Sequence, residues 1–348
     1  MNNETQMFCG DSAEELLKLN DNSIDMLCSD PPYGYSFMNK GWDKVLPDTQ
    51  IWNECFRVLK PGAFITIMAA PRTDVLWRIC RDLEEAGFDL SFSNIEWVYH
   101  SGFPKATDIS KSIDKRFDAD REVVGQTKGA GTTGKSYISN NEDYIDGDKG
   151  VFKSEVDITI PSTDLAKKYE GSKAGFQPKP AREIIIVGMK PFVEGSYIDH
   201  VLNFEALPDN IKMTYPLIQT PKPAKKEKDF GLSGEEQKKP QRDEGQENFN
   251  VPHKNRPTTA KNNHPTVKPI KLMSYLITLF TRPGDWVLDP FGGSGTTGLA
   301  CKLLDRNHIY IDFTQEYYDI AEERFNVSKQ DLKKLLKEKI SNGQQELF

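Results

Sequence analysis

The 348-residue chain carries 45 Lys and Arg against 52 Asp and Glu, and its formal net charge of −7 argues weakly against a nucleic-acid partner. Its length fits one large α/β domain with insertions, or two domains. Five scattered cysteines (Cys9, Cys28, Cys55, Cys80 and Cys301) without a C-x-x-C pair argue against zinc and disulfides, and no signal peptide or membrane-length apolar run is seen, so a cytoplasmic, metal-free protein is expected.

Ser23 to Cys28 is a short, mostly apolar run that reads as a buried strand. Ser29-Asp30-Pro31-Pro32-Tyr33-Gly34 follows. Each proline fixes φ and lacks an N–H, so this rim presents a carboxylate, a free carbonyl and a flat ring on a stiff backbone. Those groups suit an exocyclic amine and its heterocycle. For four residues alone, a strand-ending turn with a capping Asp is the simpler reading.

Asp48 is placed to cap a helix through Leu59, with Ile51, Trp52, Cys55, Phe56 and Leu59 on one face, and Lys60-Pro61-Gly62 stops it. Ala63 to Ala70 reads as a buried strand. Thr73 or Asp74 caps a helix ending at Gly87, and Ile95 to Tyr99 is a further strand. This alternation predicts a parallel, doubly wound sheet. Trp97 to Lys105 mixes aromatic, small and basic residues, and fits a DNA contact and a plain strand end equally well.

From about Lys105 to Gln177 the chain is polar, contains Gly129-Ala130-Gly131-Thr132-Thr133-Gly134, and reads as an insertion with mobile loops. Arg182 to Met189 returns as a β-branched strand. Residues 205–263 are irregular, and Lys225 to Asn250 is charged enough to be disordered when nothing is bound. Tyr215 to Lys271 holds 12 Lys/Arg against 7 Asp/Glu, so the acidic total hides a basic segment. A stripe for phosphates and a solvated linker explain it equally.

Order resumes at His264. Pro269 suits the first turn of a helix through Thr281, with Ile270, Met273, Ile277 and Phe280 on one face. The strand Trp286 to Leu288 runs into Asp289-Pro290-Phe291-Gly292-Gly293-Ser294-Gly295-Thr296-Thr297-Gly298. A helix to Leu304, the strand His308 to Asp312, a helix from Phe313 to Glu323 and a Lys-rich helical tail after Val327, fraying near Gly343, complete the chain. Gly293-x-Gly295-x-x-Gly298 matches the dinucleotide fingerprint, with Asp312 near the position that holds ribose hydroxyls. Yet the unit comes last, and Asp289 would repel a pyrophosphate. A carboxylate there suits a cation, such as the amino or sulfonium end of S-adenosylmethionine.

Asp30-Pro31-Pro32-Tyr33 together with Asp289-Pro290-Phe291-Gly292-Gly293-Ser294-Gly295 resembles the DNA amino-methyltransferases, which act on adenine N6 or cytosine N4. His264-Pro265-Thr266-Val267-Lys268-Pro269 resembles the segment ahead of that family's cofactor motif. The catalytic motif coming first corresponds to the permuted order of the beta class. The resemblance covers about residues 5–105, 178–192 and 262–326. It implies an α/β fold: a doubly wound, mostly parallel Rossmann-like methyltransferase sheet with irregular insertions for target recognition. The expected parts are a catalytic half (1–105), an insertion (106–177), a core strand (178–195), a target-recognition segment (196–263), a cofactor-binding half (264–326) and a C-terminal helix and tail (327–348).

The resemblance also implies roles. Asp30 and the Pro31 carbonyl accept hydrogen bonds from the target amine, Pro32 belongs to the same stiff rim, and Tyr33 stacks on the flipped base. Phe291 and Gly292, Gly293, Ser294 and Gly295, with Thr296, line S-adenosylmethionine, and Asp289 lies near its methionine portion. Lys268, in the segment with His264 and Thr266, pairs with the cofactor carboxylate. Asp312 binds ribose hydroxyls, although the family often has Glu-Asn-Pro where this chain has Asp312-Phe313-Thr314, and Asp11 reaches the adenine. Double-stranded DNA is the implied partner and no metal is needed. Asp30 at the first motif position favours adenine N6, with cytosine N4 as the alternative and a nucleotide-binding oxidoreductase as a distant one. Gln344-Gln345-Glu346-Leu347-Phe348 resembles peptides that dock into bacterial sliding clamps. Monomer and homodimer remain open.

Overall fold

The computed structural model describes residues 3–34, 45–99, 107–128, 155–175, 181–204, 216–234, 237–238 and 259–340. The chain forms two compact units: Met1–Tyr99 with Arg182–Gln237 and Ala260–Phe348, and His100–Ala181 with Lys238–Thr259.

The strands of the first unit are β1 (Thr5–Cys9), β2 (Ile24–Ser29), β3 (Leu59–Ala69), β4 (Ile95–Val98), β5 (Arg182–Met189), β6 (Leu217–Gln219), β7 (Trp286–Asp289) and β8 (Asn307–Asp312). Its helices are α1 (Ser12–Leu16), α2 (Thr49–Val58), α3 (Thr73–Glu85), α4 (Tyr197–Phe204), α5 (Lys225–Lys228), α6 (Ile270–Phe280), α7 (Thr296–Leu304), α8 (Gln315–Phe325) and α9 (Lys329–Ile340). One eight-stranded sheet runs in the order β1-β8-β7-β2-β3-β5-β4-β6. Every neighbour pair is parallel except those made by β5, which is antiparallel to both β3 and β4.

Alternation along the strands builds a core on each face. Leu27, Ile65, Ile67 and Ile186 pack with Leu16 of α1, Trp52 and Cys55 of α2, and Ile79 and Leu83 of α3. Met26, Cys28, Phe64, Met68 and Ile185 pack with Leu272, Met273 and Leu276 of α6 and with Ala300 and Cys301 of α7. Helices on both faces of a mostly parallel sheet make it doubly wound.

Several local expectations change. Asp48 does cap α2, accepting from the Gln50 N–H at 2.8 Å, but the helix ends at Val58 and Leu59 already belongs to β3. α3 is capped by neither Thr73 nor Asp74: Arg72 is its N-cap and makes no side-chain cap bond, because a guanidinium only donates and cannot accept the free helix N–H groups; it pairs with Asp74 instead. α6 has no exposed face, with Thr278 half-buried and every other residue buried, since it lies between the sheet and a further cluster of Leu299, Leu332 and Leu335. The charged stretch from Lys225 is ordered at its start. Glu227 of α5 is buried and accepts from the Ile270 N–H at 2.8 Å, capping α6 from outside.

The insertion from about Lys105 to Gln177, read as carrying mobile loops, contains the helix Ile109–Arg116 and the antiparallel pair Glu122–Lys128 with Glu155–Ile160. Buried Asp114 organises it, accepting from the backbone N–H groups of Ser162 and Thr163, both at 3.0 Å, and pairing with Arg121 at 2.7 Å. The glycine-rich run 129–134, most of the aromatic-basic stretch 97–105, Gly343 and the terminal peptide 344–348 lie outside the described residues.

Candidate active site

β7 and β2 are neighbours from which the chain winds in opposite directions, β7 toward β8 and β2 toward β3. Ligands of open α/β sheets bind beyond the carboxyl ends of strands at such a switch point. Both motifs end there, Asp289 closing β7 and Asp30 following β2.

The two are joined directly. The Ser29 hydroxyl donates to Asp289 Oδ1 at 2.5 Å, Thr297 Oγ1 donates to Oδ2 at 2.6 Å, and the Phe291 N–H donates to Oδ1 at 3.2 Å. Burial pushes the Asp289 carboxyl up to about 6, against the lowering effect of those bonds. Asp289 therefore ties the glycine turn to the strand that carries Asp30.

Within the turn, Gly293 and Gly295 have φ of 49° and 77°, a left-handed backbone that glycine adopts at little cost. Asp312, at the end of β8, accepts the Gly293 N–H at 2.9 Å and the Thr314 N–H at 2.8 Å. Tyr310 donates to the Gly293 carbonyl at 2.7 Å, and a Cβ on Gly292 would lie 2.2 Å from its ring. Ser12 Oγ donates to the Pro290 carbonyl at 2.6 Å. Buried Arg324 donates to the Ser294 carbonyl and, at 3.2 Å, to the Ser294 hydroxyl. His264 stands over the turn, its Nε2 2.7 Å from where a Gly293 Cβ would be, and its ring meets Tyr317 edge-on at 4.5 Å. The Thr266 N–H donates to His264 Nδ1 at 3.4 Å. Thr296 opens α7, and the half-buried Phe291 ring lies 5.8 Å from Trp52. Asp11 caps α1 through the Ala13 N–H at 2.8 Å and stays exposed.

On the other side of the switch point, Pro31 is buried and Pro32 and Tyr33 are half-buried. Tyr33 OH donates to Asp30 Oδ1 at 2.6 Å, and Lys268 Nζ pairs with Asp30 Oδ2. A second carboxylate lies alongside. Glu183 Oε2 is 3.5 Å from Lys268 Nζ and 3.4 Å from Tyr33 OH. Burial opposes the Lys268 charge, but Asp30 and then Glu183 outweigh it and hold its pKa above the usual lysine value. Burial pushes the Glu183 carboxyl up, with Lys268 acting against the shift and Asp30 adding to it. Lys222 also acts on Glu183, and its ammonium lies 4.2 Å from the centre of the Tyr99 ring.

The sheet thus brings Asp11, Asp312, Asp289 and Asp30 to successive strand ends, in the order β1, β8, β7, β2. Lys268 was expected to meet a cofactor carboxylate; here its partners are Asp30 and Glu183. Sequence reasoning missed Ser29, Tyr310, Arg324 and Glu183. Ser29 adjoins a motif, but Glu183 has only one weak signal, a lone acid near the start of a β-branched strand. Because β5 runs antiparallel, its amino end reaches the rim that other strands reach with their carboxyl ends.

The family model N6_N4_Mtase, described as a DNA methylase, matches residues 24–323. The chain is 24% identical over 332 residues to the Type II methyltransferase M.HpaI of Haemophilus parainfluenzae, covering 93% of this chain and 74% of that protein. It is 46% identical to the Type II methyltransferase M2.MboI of Moraxella bovis over 77 residues, a stretch spanning only 28% of that protein's length. Among solved structures it resembles the PvuII DNA methyltransferase (cytosine-N4-specific), with a TM-score of 0.50, 18% identity, and 99% of this chain and 94% of that one covered. That likeness concerns the fold alone. Matched over most of its length by the family model, the chain belongs to the N6/N4 family of DNA methylases.

Proposed function

We propose that this protein transfers a methyl group from S-adenosylmethionine to the exocyclic amine of a base flipped out of double-stranded DNA, with adenine N6 as the preferred target. The observation that carries the reading is the Ser29–Asp289 hydrogen bond of 2.5 Å, which locks an amine-holding rim and a glycine turn side by side at the switch point. Relatives such as M.HpaI, a Type II methyltransferase, support the activity.

The residues fit S-adenosylmethionine better than a dinucleotide. Carboxylates from Asp289, Asp30 and Glu183 crowd the rim with Lys268 as the nearest ammonium, and the Asp312 carboxylate occupies the Gly293 N–H that a pyrophosphate would otherwise use. When bound, the group supplies an activated methyl on a cationic sulfur. Gly292 to Gly295 and Phe291 would line it, Asp312 and Asp11 would meet its ribose and adenine, and Lys268 its carboxylate.

The chain's own residues prepare the amine, whose lone pair is delocalised into the base ring. Asp30 and the Pro31 carbonyl accept its N–H groups and favour a pyramidal nitrogen. Tyr33 holds Asp30 through its hydroxyl while its ring offers a stacking face. Positioning of this kind carries much of the rate in a displacement without a covalent enzyme intermediate.

Asp30 favours adenine. Mass spectrometry of nucleosides from DNA incubated with the protein and S-adenosylmethionine is expected to show N6-methyladenine. N4-methylcytosine alone would reverse the base assignment, and no methylated base would overturn the activity.

A further inference from the structure

Glu183 belongs to neither motif, yet it faces the amine-holding rim. It sits at the amino end of β5, level with Trp97 of β4. The charged and titratable groups around it come from four other segments: Asp30 and Tyr33 beyond β2, Lys268 ahead of α6, Lys222 beyond β6, and Tyr99 beyond β4. Two of these contacts are shared with Asp30, because Lys268 Nζ and Tyr33 OH each reach both carboxylates.

That sharing has a chemical consequence. A carboxylate facing an ammonium alone is neutralised by it, and the ammonium competes with any incoming N–H donor for the same oxygens. A second carboxylate across the ammonium divides its charge and leaves the first a stronger acceptor. Resting on the reading of Asp30 as the group that holds the target amine, we infer that Glu183 is a positioning residue of the methyl transfer. By drawing on Lys268 and Tyr33, it keeps the Asp30 carboxylate oriented and open to the amine. Glu183 must be ionised for this. Burial lifts its pKa, so the rate is expected to fall on the acid side as Glu183 takes a proton.

The test measures transfer of tritiated methyl from S-adenosylmethionine to unmethylated plasmid DNA by wild type, Glu183→Gln and Glu183→Asp across pH. Cofactor affinity by calorimetry and thermal unfolding accompany it. Glu183→Gln mimics the protonated residue and is expected to lower kcat about a hundredfold, the scale of a misplaced reacting group. Its acid limb should move to lower pH while cofactor affinity and melting temperature stay at wild-type values, and Glu183→Asp should recover part of the rate and of the limb. A Glu183→Gln variant with wild-type kcat and pH profile would overturn the inference. So would a loss of rate fully accounted for by loss of folded protein. If wild type itself binds S-adenosylmethionine but methylates no DNA, the proposed function falls, and this inference with it.

Discussion

The ammonium of Lys268 meets the carboxylate of Asp30, although 238 positions separate them in the chain. The first belongs to the segment ahead of the glycine turn and the second to the Asp-Pro-Pro-Tyr rim, so this ion pair joins the Ser29–Asp289 hydrogen bond in linking the two halves of the site. Removing either partner acts differently.

Asp30→Ala deletes the proposed acceptor for the amine but leaves Lys268 its contact with Glu183. Methyl transfer to DNA should be abolished while S-adenosylmethionine binds nearly as in wild type. Full activity in a radiolabel assay would refute the role of Asp30.

Lys268→Ala should weaken S-adenosylmethionine binding and lower the rate together. A hydrogen bond to a charged group contributes about 1.5–3 kcal/mol, so an affinity loss of roughly ten- to a hundredfold is expected. Unchanged affinity by calorimetry would remove the cofactor carboxylate from its list of partners.

Gly292→Ala should destabilise the fold by about 1–3 kcal/mol, the usual cost of overpacking, because the new Cβ would press on the Tyr310 ring at 2.2 Å. Adding Tyr310→Leu should relieve part of that loss. Urea unfolding of the single and double variants measures both, and a single variant as stable as wild type would contradict the packing described for the turn.

His308, fully buried on β8, has no hydrogen-bond partner at either ring nitrogen among the described residues. Burial lowers its pKa from 6.5 to about 3. In the fold the ring is neutral, whereas the unfolded chain binds a proton below its ordinary value. The sign follows: stability drops as pH falls from 6.5 toward about 3, by about 1.4 kcal/mol per unit. His308→Leu should flatten that slope. Urea midpoints at pH 7 and pH 5 compare the two proteins, and comparison cancels the opposing effect of Asp289. Equal slopes would count against a buried neutral His308.

The two motifs were legible because each is local. Asp30-Pro31-Pro32-Tyr33 and the turn from Asp289 to Gly298 each compress acid, ring and special backbone into a few adjacent residues, and the strand-helix alternation around them predicts the doubly wound sheet. Helix caps were legible only where a short polar side chain reaches its own backbone, as at Asp48, and not at Arg72, whose guanidinium has no acceptor to offer the helix N–H groups. Order within Lys225–Lys228 was hidden because a burial partner far along the chain decides it, with Glu227 receiving the Ile270 N–H.

Residue type alone therefore determined the two motifs, the fold class and the family. The tertiary structure decided which groups share charge. Ser29 reaches Asp289 because parallel pairing sets β2 beside β7, and Glu183 reaches Lys268 because one antiparallel strand turns its amino end to the rim. Strand direction is a property of the assembled sheet, so a single acid near the start of Arg182–Met189 has no meaning until its neighbours are in place.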